Sequence, residues 1–400
     1  MLTLDMVYQA AHTSKNTVRK TDLIPATGLD SDCRLYLKAE NLQLTGSFKL
    51  RGAYYKISSL SKEEKEKGVV ACSAGNHAQG VALAAQRSGI RATIFLPSVA
   101  PISKVEATKK YGAETKIIDG IYDDAYEAAV EYQKETGAVF IHPFEDEQVI
   151  AGQGTIGLEL IDQLQDMDAV VVPIGGGGLI SGISFVIKKL NPKCKVYGVQ
   201  AEGASSMCRS MHENSKCSVS CVSTFADGIA VKSPGQMTYD FCKENVDDVV
   251  TVSDDEIATA ILALMEKEKL VAEGAGAVAV AAIMFGKLPV KNKKVCAIVS
   301  GGNIDVNILS RVINRGLLMS GRLSDLNIEL LDKPGQLREV AAIIADTGAN
   351  VTKVSHNQGG ENTDIRGCYL RVSMETRNKE HLDEIKEAFR KAGYKLHENI

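Results

Sequence analysis

The chain has no long apolar run, no excess of one charge and no paired-cysteine motif, and each absence excludes something. Its longest uncharged apolar stretch, Gly274 to Gly286, is 13 residues, too short to span a bilayer. Lys plus Arg number 46 and Asp plus Glu 50, a formal net charge of −4. That balance supplies no electrostatic pull toward nucleic acid or an anionic membrane. The nine cysteines are scattered from Cys33 to Cys368 without a CxxC pair. A disulfide framework is therefore not expected, and a reducing cytoplasm is. Cys208, Cys217 and Cys221 share one loop-like stretch but lack the tight paired spacing of a zinc site. HExxH is missing too, and no metal site is expected. Asp5 stands where a signal peptide would be apolar, so export is not expected. Internal repeats and low-complexity tracts are not visible.

What is present is a chain of 400 residues, enough for two or three folding units at about 150 residues each. Short β-branched runs alternate with longer helical patterns. The runs include Val69 to Cys72, Ala92 to Leu96, Lys116 to Ile118, Ala138 to Ile141, Ala169 to Ile174, Val196 to Val199 and Val295 to Val299. Nearly all are apolar on both faces, as in parallel strands covered by helices. Helical patterns run over Asn76 to Ser88, Ser103 to Tyr111, Tyr122 to Thr136 and Asp254 to Lys267. This is the α/β pattern. Ligands in such sheets sit beyond the carboxyl ends of the strands.

The pattern changes near Gly321. A strand over Leu323 to Leu331, a turn at Asp332-Lys333-Pro334-Gly335 and an amphipathic helix ending at Gly348 come first. Strands at 350–356 and 366–374, a helix at 379–392 and a strand at 394–397 complete a βαββαβ set. The α/β pattern covers 1–320. A ferredoxin-like module over 324–400 follows, joined by a linker at Arg315 to Arg322.

Four segments that follow strands carry chemistry. Lys49, in Thr45-Gly46-Ser47-Phe48-Lys49-Leu50-Arg51-Gly52, falls in the first turn of a predicted helix. The positive dipole end disfavours a cation there, which suits a Schiff-base amine. A solvated lysine is the plain alternative. Ser73-Ala74-Gly75-Asn76-His77 opens a helix whose free amides suit a carboxylate, or it merely caps that helix. Gly175-Gly176-Gly177-Gly178-Leu179 lets the backbone wrap a phosphate, or it is a tight turn. It fits neither GxGxxG nor a P-loop. Ser300-Gly301-Gly302-Asn303 offers a hydroxyl after a buried strand, or it is a helix cap.

In combination and order these motifs resemble the fold-type-II pyridoxal-phosphate enzymes, the tryptophan synthase β family, and within it the threonine/serine dehydratases. The resemblance spans residues 5–320 and implies a catalytic domain over 1–320 made of two parallel-sheet subdomains, the smaller, roughly 45–145, inserted in the larger. The C-terminal LLDKPGQL and GANV resemble an ACT domain, an amino-acid-sensing fold. The resemblance implies pyridoxal 5'-phosphate held as a Schiff base by Lys49, with Phe48 packed beside it. It implies Asn76 on the cofactor hydroxyl, Gly175, Gly176, Gly177, Gly178 and Leu179 on the phosphate, and Ser300 at the pyridine nitrogen. Ser73, Ala74, Gly75, Asn76 and His77 would hold the substrate carboxylate. Lys49 would then take the Cα proton and the β-hydroxyl would leave, giving a 2-oxo acid and ammonia.

Serine racemases of the wider family carry a serine where Ala74 stands, so this chain lacks a hydroxyl to reprotonate the opposite face. They also bind a divalent ion near the equivalent of Glu202, but Cys208 occupies the place of a second carboxylate here, and magnesium prefers oxygen. The expected function is L-threonine dehydration and deamination with activity on L-serine, under control of an amino-acid effector at the ACT domain. A pyruvate-forming serine dehydratase, a silent amino-acid sensor and an ACT domain serving only dimerisation stay open. Analogy implies a homodimer or homotetramer.

Overall fold

The computed structural model describes all residues except Pro101, 359–366 and 398–400. The chain forms two compact units, Met1–Asp305 and Val306–Ile400.

The first unit holds ten strands: β1 (Leu23–Pro25), β2 (Arg34–Ala39), β3 (Val69–Cys72), β4 (Ala92–Pro97), β5 (Glu114–Ile118), β6 (Val139–Phe140), β7 (Ala169–Pro173), β8 (Lys195–Ala201), β9 (Asp248–Val252) and β10 (Lys294–Val299). They build two sheets. One runs in the order β1-β2-β10-β7-β8-β9, the other β5-β4-β3-β6. Every pairing is parallel except the β1 edge on β2. All residues of β3, β4 and β7 are buried, as strands covered by helices on both faces must be. Each sheet has its own apolar core: Val170, Val172, Ile180 and Ile298 lie in one, Leu50, Ile57, Val81 and Ile94 in the other.

The helices Lys49–Ser58 and Glu147–Gln163 pack closely, and the reason is local. A Cβ on Gly152 would lie 2.6 Å from the Gly52 Cα, and one on Gly52 would lie 2.6 Å from the Val149 carbonyl. Only glycine fits both positions, so this contact fixes the helix that starts at Lys49.

Some expectations shift. The strand expected over Ala138 to Ile141 shortens to β6, and the helix expected through Lys267 is α-helical only over Asp254–Ala263, continuing as a π turn, Leu264–Glu268. The linker placed at Arg315 to Arg322 is corrected. A helix spans Val306–Met319, and only a turn separates it from the next strand. Gly316 is buried inside that helix, where it packs rather than breaks the helix.

The second unit contains β11 (Leu323–Leu331), β12 (Asn350–Gln358), β13 (Gly367–Glu375) and β14 (Lys395–His397), with helices Gln336–Thr347 and Lys379–Lys391 between them. The sheet order is β12-β13-β11-β14, all antiparallel. Ile328, Leu370, Val372 and Met374 alternate inward against Val340, Ile344, Ile385 and Phe389, the period-two pattern of a sheet covered on one face. The expected start of β13 at 366 falls outside the described residues.

Candidate active site

Four strand ends converge on one cavity of about 780 Å³ in the first unit. Its lining includes Phe48, Lys49, Ser73, Ala74, Gly75, Asn76, His77, Gly175, Gly176, Gly178, Leu179 and Ser300. Of the expected residues, Gly177 is the exception. It turns toward Thr238, where a Cβ would lie 2.7 Å from that side chain, and takes φ +101° as the cap of helix Gly178–Leu190.

Two backbone contacts join the first and last motifs. Phe48 N–H donates to the Ser300 carbonyl at 3.1 Å, and Ser47 bridges Gly301. Neither Ser73 nor Asn76 caps the helix Asn76–Ser88, because Gly75 stands at the cap. Ser73 Oγ instead accepts from Gly75 N–H at 3.1 Å. Ser300 does not cap a helix either; its hydroxyl donates to the Ala275 carbonyl at 3.2 Å.

Lys49 donates from Nζ to the Pro143 carbonyl at 3.0 Å and lies 5.3 Å from the Phe48 ring centroid. Burial lowers its pKa to about 8, against the opposing pull of Glu273. A buried amine with no carboxylate on it can exist unprotonated near neutral pH, as a nucleophile or base must.

The two histidines beside Lys49 are neutral. Burial takes His77 down to about 3 and His142 to about 4, and Lys49 pushes both the same way. His77 Nε2 bonds the Ile141 carbonyl at 2.7 Å. His142 Nδ1 accepts from the Phe144 and Glu145 amides at 3.3 and 2.8 Å, so it carries no proton.

The glycine loop after β7 is a cradle that side chains would fill. A Cβ on Gly176 would lie 2.4 Å from the Phe144 ring, and one on Gly178 would lie 2.8 Å from Phe144 Cβ. Thr238 Oγ1 donates to the Gly176 carbonyl at 2.6 Å and holds the loop. Helix Gly178–Leu190 begins without a side-chain cap, so its first amides stay available to an anion.

Several groups at the site had no role assigned from the sequence. Glu273 is 3% exposed. It accepts from Asn76 Nδ2 at 2.5 Å, and burial with nearby Asp227 raises its pKa to about 7. Asn303 Nδ2 donates to Asn76 Oδ1 at 2.8 Å and to the Thr45 carbonyl at 2.7 Å. Glu273 sits just before the apolar run from Gly274, and a lone acid at the mouth of such a run was its one signal. Lys104 pairs with Asp227 at the cavity; nothing in the motifs marked either.

An amine of lowered pKa, an uncapped glycine cradle and the Ser300 hydroxyl around one cavity fit an aldehyde cofactor that bears a phosphate. The chain belongs to the pyridoxal-phosphate dependent enzyme family, whose pattern matches residues 15–301. It is 51% identical over 398 residues to an L-threonine ammonia-lyase of Thermotoga maritima, covering 99% of both chains. Among solved structures, the processed threonine deaminase isoform 2 of Solanum lycopersicum superposes with a TM-score of 0.73. The two are 39% identical over 78% of this chain and 94% of that one. Maize serine racemase superposes with a TM-score of 0.74 at 35% identity, over 79% of this chain and 98% of that one. Among the described residues no helix is long and apolar enough to cross a membrane.

Proposed function

We propose that this chain is a threonine ammonia-lyase that converts L-threonine to 2-oxobutyrate and ammonia and also accepts L-serine. The observation that carries the reading is the Lys49 amine, buried at the cavity without a carboxylate partner. The whole-length likeness to the Thermotoga L-threonine ammonia-lyase supports the substrate.

In this reading Lys49 holds the pyridoxal phosphate. Gly175, Gly176, Gly178 and Leu179, with the amide of Gly177, hold its phosphate at the helix terminus. Asn76, steadied by Asn303 and Glu273, would bond the ring hydroxyl, and Ser300 Oγ, which donates to the Ala275 carbonyl here, would turn its hydrogen to the ring nitrogen. When bound, the cofactor supplies an electron sink for the charge that develops at the substrate Cα. Lys49 Nζ takes the Cα proton, which a pKa of about 8 permits near neutral pH. Of the Ser73 to His77 loop, the amides of Ala74, Asn76 and His77 would bind the carboxylate and orient the Cα–H bond toward Lys49, while those of Ser73 and Gly75 hold the loop through the Phe95 carbonyl and Ser73 Oγ. His77 and His142 stay neutral, so they add no competing cation. Ala74 offers no proton donor to the opposite face, which disfavours racemisation.

The second unit reads as a ferredoxin-like ACT domain over 324–400 that follows a catalytic domain over 1–320. Its βαββαβ order and its β12-β13-β11-β14 sheet support that reading. An amino-acid effector near Lys333 to Gly335, a homodimer or homotetramer and a cytoplasmic setting complete the proposal. The test is release of 2-oxobutyrate from L-threonine and of pyruvate from L-serine, with Lys49→Ala alongside. Faster 2-oxobutyrate, lost in the variant, is expected. Pyruvate alone would make this a serine dehydratase, and product from the variant would sink the mechanism.

A further inference from the structure

The second unit contains a cluster of three metal-ligating side chains that catalysis does not use. Asp332, His356 and Cys368 bring one carboxylate oxygen, one imidazole nitrogen and one thiol sulfur within 4.8 Å of one another. They come from three neighbouring segments. Cys368 lies on β13, opposite Leu330 of β11 and Gln358 of β12. His356 lies on β12, opposite Leu370, and residues directly opposite share a face. Cys368 and Leu370 both belong to the core under the helices, so the imidazole is on that face too. Asp332 follows β11 directly and opens the turn toward helix Gln336–Thr347.

The cluster is a half-open cup. Cys368 forms its floor at 2% exposure. His356 and Asp332 form its rim, with side chains 46% and 42% exposed and Nε2 to Oδ1 at 3.8 Å. A tetrahedral ion with bonds of about 2.0–2.3 Å sets its ligand atoms about 3.3–3.5 Å apart. Each ligand atom therefore needs to move by about 1 Å or less.

We propose that Asp332, His356 and Cys368 bind a borderline-soft divalent cation of the zinc type. The donor set decides the class. Sulfur with imidazole nitrogen selects zinc over magnesium or calcium, which take oxygen. The exposed rim leaves a fourth position to water. An ion here ties the ends of β12 and β13 to the first residue of the Asp332–Gly335 turn, which β11 feeds. It stabilises the unit by mass action and fixes the turn at which an effector is proposed to dock.

The experiment uses the full-length, cofactor-loaded enzyme. Cobalt(II) is titrated as the probe, and its visible ligand-field bands are read at wavelengths beyond the absorption of the cofactor. One cobalt per chain with tetrahedral thiolate bands, displaced by zinc, is expected. Cys368→Ser and His356→Ala should each weaken binding by more than about 100-fold, since outer-shell partners alone are worth about 10–100-fold. A Cys217→Ser/Cys221→Ser double variant controls for the accessible thiols that lie close together in sequence and should bind as the parent does. His356 is exposed, so His356→Ala remains a clean test if Cys368→Ser does not fold. Absence of the bands, their survival in His356→Ala or their loss in the double variant would each overturn the proposal and leave a surface His–Asp ion pair beside a core cysteine.

Discussion

Lys38 and Lys49 are both held in the interior of the first unit, but their surroundings differ. Lys38 Nζ donates to Glu159 Oε2 at 2.5 Å, to the Thr21 carbonyl at 2.8 Å and to Gln163 Oε1 at 2.8 Å. Arg51 completes this cluster with two bonds to Glu40, at 2.8 and 2.7 Å, and two to Glu159, at 2.6 and 3.0 Å. Burial pulls Lys38 below its ordinary value, but Glu159 opposes the pull. Arg51 rises above its ordinary value because Glu40 and Glu159 more than offset burial. Lys49, partly buried on the cavity wall, has a carbonyl in place of a carboxylate, and falls to about 8. Lys49 and Arg51 stand two residues apart on one helix, which points them to different sides. One side of that helix carries charges locked for structure, and the other carries an amine left reactive.

The comparison breaks most sharply at Lys49. Lys49→Ala is expected to reduce 2-oxobutyrate formation by at least about 10³-fold, since it removes both the cofactor anchor and the base. The absorbance of the covalently held cofactor should vanish while far-ultraviolet dichroism is unchanged. Cofactor absorbance surviving in the variant would show that another amine holds it.

Arg51→Met tests the other side of the helix. It leaves buried Glu40 without its ion pair and Glu159 with Lys38 alone, and breaking a buried pair in this way costs about 3–5 kcal/mol. Urea unfolding of the cofactor-free enzyme should show that loss. Lys49→Met in the same assay should be neutral or stabilising, because it removes a buried amine with no carboxylate to satisfy. Equal losses in the two variants would erase the distinction between the lysine of the cavity and the charges behind it.

Glu273 sharpens the comparison through pH. Its carboxyl titrates at about 7 in the folded chain against an ordinary 4.5. Between these values the folded state keeps a proton that the unfolded state has released. The contribution is therefore full below about 4.5 and is lost as pH rises through about 7. Its size is about 2–3 kcal/mol. In Glu273→Gln the cofactor-free enzyme should lack this fall, and the parent-minus-variant difference should change only across that window. A flat difference would mean that Glu273 is ionised throughout.

Much of the site was legible because it depends on local backbone chemistry. Buried strands ending in small residues mark Ser73 to His77, Gly175 to Leu179 and Ser300, and all but Gly177 line the cavity. The resemblance tied those motifs to one cofactor, which no single motif did. Glu273 and Asn303 were hidden because their roles come from contacts with Asn76, 197 and 227 residues away. The Arg51 cluster was hidden likewise, since burial of charge follows tertiary packing and leaves no periodic trace. The linker expected at Arg315 to Arg322 gave way to the helix Val306–Met319, because a Gly-containing stretch reads the same in sequence whether its glycine packs, as Gly316 does, or ends a helix.

The smallest expected effect concerns Ala74, which lines the cavity beside the carboxylate loop. Replacing its methyl group with a hydroxymethyl adds one oxygen at a surface open to the cavity, so stability should change by no more than about 0.5 kcal/mol. The chemical change is larger in kind than in size. Lys49 serves one face of the substrate, and a proton delivered to the other face inverts the centre. If the missing donor is what holds the enzyme to elimination, Ala74→Ser should form D-serine from L-serine at least about ten times faster than the parent, because a positioned acid or base contributes about 10²–10⁴-fold. Elimination should still dominate, since Ser300 and the glycine cradle are untouched. Chiral chromatography of L-serine incubated with each enzyme reads the ratio directly. No D-serine from the variant would mean that restraint on racemisation lies in how Ser73 to His77 hold the carboxylate, and the specificity of the site would then be geometric and not a matter of one absent proton.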